Sequence, residues 1–130
     1  MNEATSCIYR KLSYNRRAYM DRNSGENIII NFLNHAAKIT KPFFIDSYSK
    51  KWLLIEPKYD ELIKQLTSLD LQSWHKKYIN LEILDGEEWT IELTLQNNKK
   101  IKIFGINAYP PKWEQFQTFL KWIDICCLKI

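Results

Sequence analysis

Histidine, cysteine and glycine are all scarce in this chain, with two, three and three copies respectively. A catalytic triad or a histidine-based metal site would have to use His35 or His75. Neither stands in a nucleophile elbow, an H-x-E or a C-x2-C motif. Cys7 is alone, and Cys126 and Cys127 are adjacent, which suits neither a disulfide between them nor a metal knuckle. No local feature activates these thiols as nucleophiles, and in a cytoplasm they stay reduced. No apolar run approaches the ~18 residues of a membrane span, and Met1–Cys7 lacks the apolar stretch of a secretory signal. Repeats, low-complexity tracts and linkers are missing too. The expectation is a soluble, cytoplasmic, single α+β domain over residues 1–130, with no cofactor, no metal and no catalytic residues.

What the chain does have is material for a core. Hydrophobic residues make up 45% and aromatics 14% of its 130 residues, which argues against disorder. The net charge of +4 is concentrated at one end. Residues 1–22 hold Arg10, Lys11, Arg16, Arg17 and Arg22 against Glu3 and Asp21, a net of +3, and the remainder is within one charge of neutral.

The clearest pattern lies between Leu84 and Trp122. Trp89, Ile91, Leu93 and Leu95 alternate with Thr90, Glu92 and Thr94, the period of a strand with one buried face. Lys100 to Phe104 reads as its partner. Setting Leu95 opposite Ile101 and Leu93 opposite Ile103 keeps the apolar side chains together and requires an odd loop, Asn97-Asn98-Lys99, with Asn98 or Lys99 left-handed. After Gly105 and the turn Asn107-Ala108-Tyr109, Pro110-Pro111 stiffens the chain before a helix near Pro111 or Lys112. In that helix Trp113, Phe116, Leu120, Ile123, Cys127 and Ile130 form an apolar stripe.

The pattern W-x3-Y, then L-D-G-x2-W-x-I-x-L, then G-x-N-A-Y-P-x2-W-x2-F, spanning about Trp74 to Leu120, resembles that of a small bacterial family of short stand-alone proteins. The resemblance implies a shared fold and offers no reaction.

Upstream, Cys7 to Tyr14 reads as a strand with Ile8, Arg10, Leu12 and Tyr14 on one face. Asn15 to Gly25 reads as a polar, basic loop, with a short strand at Ala18-Tyr19-Met20 as an option. Glu26 to Ile39 supports two readings. Ile28-Ile29-Ile30 favours a strand, while Ile29, Phe32, Leu33, Ala36 and Ala37 sit at helical spacing behind a cap at Ser24; the length favours a helix. A hairpin follows, Phe43–Ile45 and Lys51–Ile55 about a turn at Ser47–Lys50. Pro57 then opens a helix burying Tyr59, Leu62, Ile63 and Leu66 and ending near Leu69. Trp74 and Tyr78 are expected on one face of a helical turn. The fold expected is an antiparallel sheet of two hairpins plus an N-terminal strand, with the C-terminal amphipathic helix packed on one face.

Three surfaces are candidates for function. Trp122 and Phe119 fall off the main stripe of the C-terminal helix, which would leave a second apolar side for another chain, a hetero-partner or a second copy; Trp74, His75 and Tyr78 extend this partner surface. Arg10, Lys11, Arg16 and Arg17 interleave with Tyr14, as single-stranded nucleic acid binding requires. Glu82, Asp85, Glu87, Glu88 and Glu92 put five carboxylates within eleven residues. Asp85, Glu88 and Glu92 would be the ligands of a metal-dependent enzyme, although a solvated strand face accounts for them as well. The reading favoured is a non-enzymatic, protein-binding protein of bacterial type, such as an immunity or inhibitor protein or a defence-system accessory. Nucleic-acid binding is the alternative, and no membrane is implied.

Overall fold

A computed structural model describes residues 8–18, 25–42, 47–53, 58–82, 86–126 and 128–129. The strands are β1 (Tyr9–Ala18), β2 (Gly25–Asn31), β3 (Ala36–Pro42), β4 (Ser47–Leu53), β5 (Lys77–Ile79), β6 (Glu87–Leu95), β7 (Lys100–Ile106) and β8 (Leu128–Lys129). Two helices, α1 (Lys58–Leu69) and α2 (Trp113–Cys126), complete the fold. The strands form one sheet in the order β5-β7-β6-β1-β2-β3-β4-β8, antiparallel except where β5 runs parallel to β7. The N-terminal strand thus lies in the interior, joining a β2–β3–β4 meander to the β6–β7 hairpin.

Both helices lie on the same face of the sheet. The edge of the Phe116 ring meets Tyr14 at 5.3 Å between centroids, Tyr59 of α1 donates its hydroxyl to the Phe32 carbonyl at 3.2 Å, and Tyr9 bonds Thr67 at 3.0 Å. Between the layers lie Leu12, Tyr14, Ile28, Ile30, Ile91 and Ile103 from the strands, with Leu62, Leu66, Phe116 and Ile123 from the helices, all 4% exposed or less. Alternation puts the other half of every strand on the opposite side, which no described element covers.

The helix expected over Glu26–Ile39 is instead the β2–β3 hairpin. Ile28 and Ile30 point inward and Ile29 outward, pairing with Ile39, Ala37 and Lys38. The turn is stabilised locally, because the Asn31 side-chain oxygen accepts the amides of Leu33 at 3.0 Å and Asn34 at 3.2 Å, and His35 takes a left-handed φ of 52°. β-Branched residues that pack well on a pleated surface prevail over an incidental helical spacing. Ser47–Lys50, expected as a turn, is strand β4 paired with β3; Phe43–Ile45 falls outside the described residues. Asn15–Ala18 continues β1 rather than forming a loop, while Tyr19, Met20 and Arg22 fall outside them.

Two register details also differ. In β1 a register irregularity between Tyr9 and Lys11 turns Tyr9 inward and leaves Ile8 56% exposed, so Ile8 and Arg10 do not share the face of Leu12. In the β6–β7 hairpin Leu93 faces Ile101 and Ile91 faces Ile103, two residues away from the expected pairing. A slip of two keeps every side chain on its own face, so hydrophobic pattern cannot detect it. Turn chemistry decides it. The loop is Gln96-Asn97-Asn98, closed by the Leu95 amide on the Lys99 carbonyl at 2.9 Å, with Asn98 in the left-handed region at φ 69°.

Candidate functional site

The signature residues lock onto one another. Gly105 sits opposite Trp89 on the covered face, and a Cβ there would come 2.3 Å from the indole. The indole lies flat against the strand only because residue 105 has no side chain. Trp89 Nε1 donates to the Ala108 carbonyl at 3.0 Å, and its ring lies 4.4 Å from Trp113. Asn107, left-handed at φ 55°, clamps the start of β6. Its Oδ1 accepts the Glu87 amide at 2.8 Å, and its own amide donates to the Glu87 carbonyl at 3.0 Å. Gly86 clears space for that side chain, since a Cβ would lie 1.8 Å from Oδ1. Upstream, Trp74 Nε1 donates to the Leu69 carbonyl at 2.9 Å, and Tyr78 stacks on Trp89.

Beside this knot lies a charged cluster. Tyr109 donates its hydroxyl to Glu87 at 2.6 Å, and Arg16 reaches Glu87 at 3.2 Å and Glu26 at 3.5 Å. A shallow cleft of about 400 Å³ opens here, lined by Ala18, Gly86, Glu87, Asn107 and Tyr109. Burial and the neighbouring Glu87 carboxylate push the Tyr109 phenol up to about 12, so at neutral pH it is a hydrogen-bond donor and no base. Burial alone would weaken the Arg16 cation, but the Glu87 hydrogen bond and the Glu26 and Glu87 charges outweigh that and hold it protonated. Burial raises Tyr14 well above the usual phenol range, partly offset by Gln117. Arg16, Glu87 and Tyr109 thus satisfy one another and fasten β1, β6 and the loop after β7 together.

The residues anticipated for function are placed as follows. Phe119 is 1% exposed because α2 buries a broader arc than its expected stripe, and Trp74, packed against Phe116, is 8% exposed, so these two offer a partner no surface. Trp122 is half-buried against the core. Trp74 and Tyr78 share no helical turn: a short 3-10 segment, Leu71–Ser73, precedes Trp74, and Tyr78 belongs to β5. Exposed His75 donates its amide to the Tyr78 hydroxyl at 3.0 Å. Among the basic residues, Tyr14 is fully buried and presents no ring for stacking. Arg16 is paired as above, Arg17 bonds Glu88 at 2.7 Å, Arg10 donates to the Asn98 side chain, and Lys11 is exposed. Of the acidic trio, Asp85 lies outside the described residues, Glu88 is held by Arg17, and Glu92 faces Lys102 across the ladder. Among the described residues no group of three metal-binding side chains converges. His35 stacks on Tyr59 at 3.8 Å.

Sequence reading missed the uncovered face of the sheet. Lys11 lies between Asn31 and Thr94, Ser13 between Ile29 and Glu92, Asn15 between Asn27 and Thr90, and Arg17 between Gly25 and Glu88. Lys100, Lys102 and Phe104 on β7, Lys77 on β5 and Lys38 on β3 continue the same surface. With Arg17 and Glu88 neutralising each other, five exposed lysines (11, 38, 77, 100 and 102) remain against Glu92. The alternation of each strand carried this signal, but only the strand order shows that lysines distant in sequence are neighbours.

The chain matches no protein-family model and no characterised protein. Among the described residues no helix is long and apolar enough to cross a membrane.

Proposed function

We propose that the protein is a non-enzymatic binding protein that engages another protein through the uncovered face of its sheet. One observation supports this above the rest: the tryptophans, glycines and asparagine of the signature are turned inward or onto one another, whereas the uncovered face carries exposed lysines in excess of acids. Residues spent on packing explain a fold, and residues left on a broad flat face are free to meet a partner. An immunity or inhibitor role, or that of a bacterial defence accessory, suits such a molecule, acting in the cytoplasm where its cysteines stay reduced. Because complementary potentials guide association, the partner is acidic where it docks, which is the opposite of what a basic nuclease would present.

Nucleic acid is the second reading, favoured by the same lysines. It no longer rests on Arg10, Arg16 and Arg17, which have partners. The experiment places a photo-crosslinking residue at Thr90, at the centre of the uncovered face, and another at Lys64 on the outer side of α1, in cells that naturally produce the protein. A discrete protein adduct from position 90 and none from position 64 is expected. Equal labelling at both, or a nucleic-acid adduct at position 90, removes the reading.

A further inference from the structure

Building on that reading, we infer that the β5 edge, together with the apolar and cationic side chains beside it, receives an extended acidic segment of the partner protein by strand addition. β5 ends the sheet. Its pairing with β7 uses the Lys76 carbonyl, which accepts the Phe104 amide at 3.0 Å, and the Asn80 amide, which donates to the Ile106 carbonyl at 2.8 Å. With the two-residue period of a strand, the backbone groups of Lys77 and Ile79 face away from β7, toward the open edge. A peptide laid alongside would pair with them, and its main chain would supply affinity with little demand on sequence.

The side chains beside that edge define the chemistry of the guest. Ile79 is 47% exposed, and Leu81, two residues past it, is 76% exposed. Ile106 stands opposite Ile79, and Phe104 opposite Lys77, whose ammonium lies 6.0 Å from the Phe104 ring centre. Lys102 adds a cation on the same face of β7. An added strand whose uncovered-side residues alternate acidic and apolar would set its carboxylates against Lys77 and its apolar groups against Ile79. Lysines on an open edge ordinarily prevent a sheet from pairing with its own copy. Two copies joined at β5 would bring Lys76 and Lys77 of each together, so a second copy of this chain is excluded by the charge that attracts an acidic guest. Nucleic acid lacks the second ingredient of its usual binding surfaces: Tyr14, Trp89 and Tyr78 are turned to the covered side, leaving Phe104 the aromatic ring available for stacking among the described residues of this face.

The test uses the full chain and three fluorescent probes: a Glu-Val peptide of about ten residues that repeats Glu-Ser-Val-Ser and so alternates Glu and Val along one face, its Lys-Val counterpart with Lys in place of each Glu, and a single-stranded oligothymidylate. Anisotropy should show the Glu-Val peptide binding at least about tenfold more tightly than the other two, and weakening several-fold between about 50 and 200 mM salt. Two variants follow. K77E reverses the charge beside the edge, and Ile79→Pro removes one outward amide donor while leaving the inward-facing groups of Tyr78 in place. Each should abolish binding with an unchanged thermal midpoint. Preference for the oligothymidylate, equal binding of both peptides, no binding of the Glu-Val peptide, or its retention by Ile79→Pro would each overturn the inference. A Thr90 adduct that survives in Ile79→Pro would overturn the edge and leave the broader reading standing.

Discussion

The two faces of the sheet are built from the same strands and differ in nearly every other respect. On the covered face Trp89, Ile91 and Leu93 are at most 2% exposed and pack against helices; on the other, Thr90, Glu92 and Thr94, interleaved with them, have only their strand neighbours beside them among the described residues. Aromatic rings gather on the first and lysines on the second. The contrast shows where the sequence signature belongs: its conspicuous residues hold the covered side together, and the lysines of the other side follow no conspicuous spacing.

The largest expected effect tests the covered side directly. Trp89→Ala removes a fully buried indole, its hydrogen bond to Ala108 and its contacts with Trp113 and Tyr78. It should cost about 3–5 kcal/mol, a large part of the stability of a domain this size, measured by urea unfolding. A loss under about 1 kcal/mol would mean that the indole is not a core residue. Gly105→Ala comes next. The added Cβ meets the Trp89 ring at 2.3 Å, and the indole cannot retreat without disturbing Trp113, so overpacking should cost about 1–3 kcal/mol. The double variant Gly105→Ala, Trp89→Phe should recover part of that loss by shrinking the obstructed ring.

Much of this was readable in advance. The β6–β7 hairpin, α1 and the start of α2 follow from strong periodicities and from prolines at helix entries. Three things were hidden for distinct physical reasons. Hairpin register depended on a left-handed Asn98, to which hydrophobic alternation is blind. The Glu26–Ile39 region holds two periodicities at once, and the Asn31 side chain selects the hairpin. The basic face could not be seen at all, because Lys11, Lys38, Lys77 and Lys100 become neighbours only through a strand order that puts β1 in the middle. Counting charges along the chain placed the cation excess at the N-terminus, where three of its arginines prove to be occupied.

A smaller effect concerns the boundary between the faces, where Tyr109 meets Glu87. The folded phenol titrates at about 12 against an ordinary 10.0. Its contribution to stability is therefore complete below pH 10 and is lost as pH rises toward 12, because the folded state holds the proton more tightly than the unfolded chain. Tyr109→Phe should flatten the alkaline fall in stability across that window relative to the unmodified protein, and remove one phenolate step from the ultraviolet titration. Identical alkaline curves for the two proteins would show that the hydroxyl does not engage Glu87 in solution. Since Tyr109 is 42% exposed, solvent screening keeps the difference modest.

The smallest effect is the most pointed, because it compares adjacent residues. Ser13 and Tyr14 are consecutive on β1, yet Ser13 lies on the uncovered face between Ile29 and Glu92, and Tyr14 lies against Phe116 with its ring fully buried. Ser13→Ala removes a hydroxyl from a half-exposed site and should change unfolding stability by no more than about 0.5 kcal/mol. Tyr14→Ala, one residue on, should cost about 3–5 kcal/mol by opening a cavity under α2. If the two substitutions cost the same, something packs on the second face as firmly as the helices do on the first. If they differ as expected, the uncovered side contributes little to folding, and its lysines can be exchanged in binding experiments without loss of the fold.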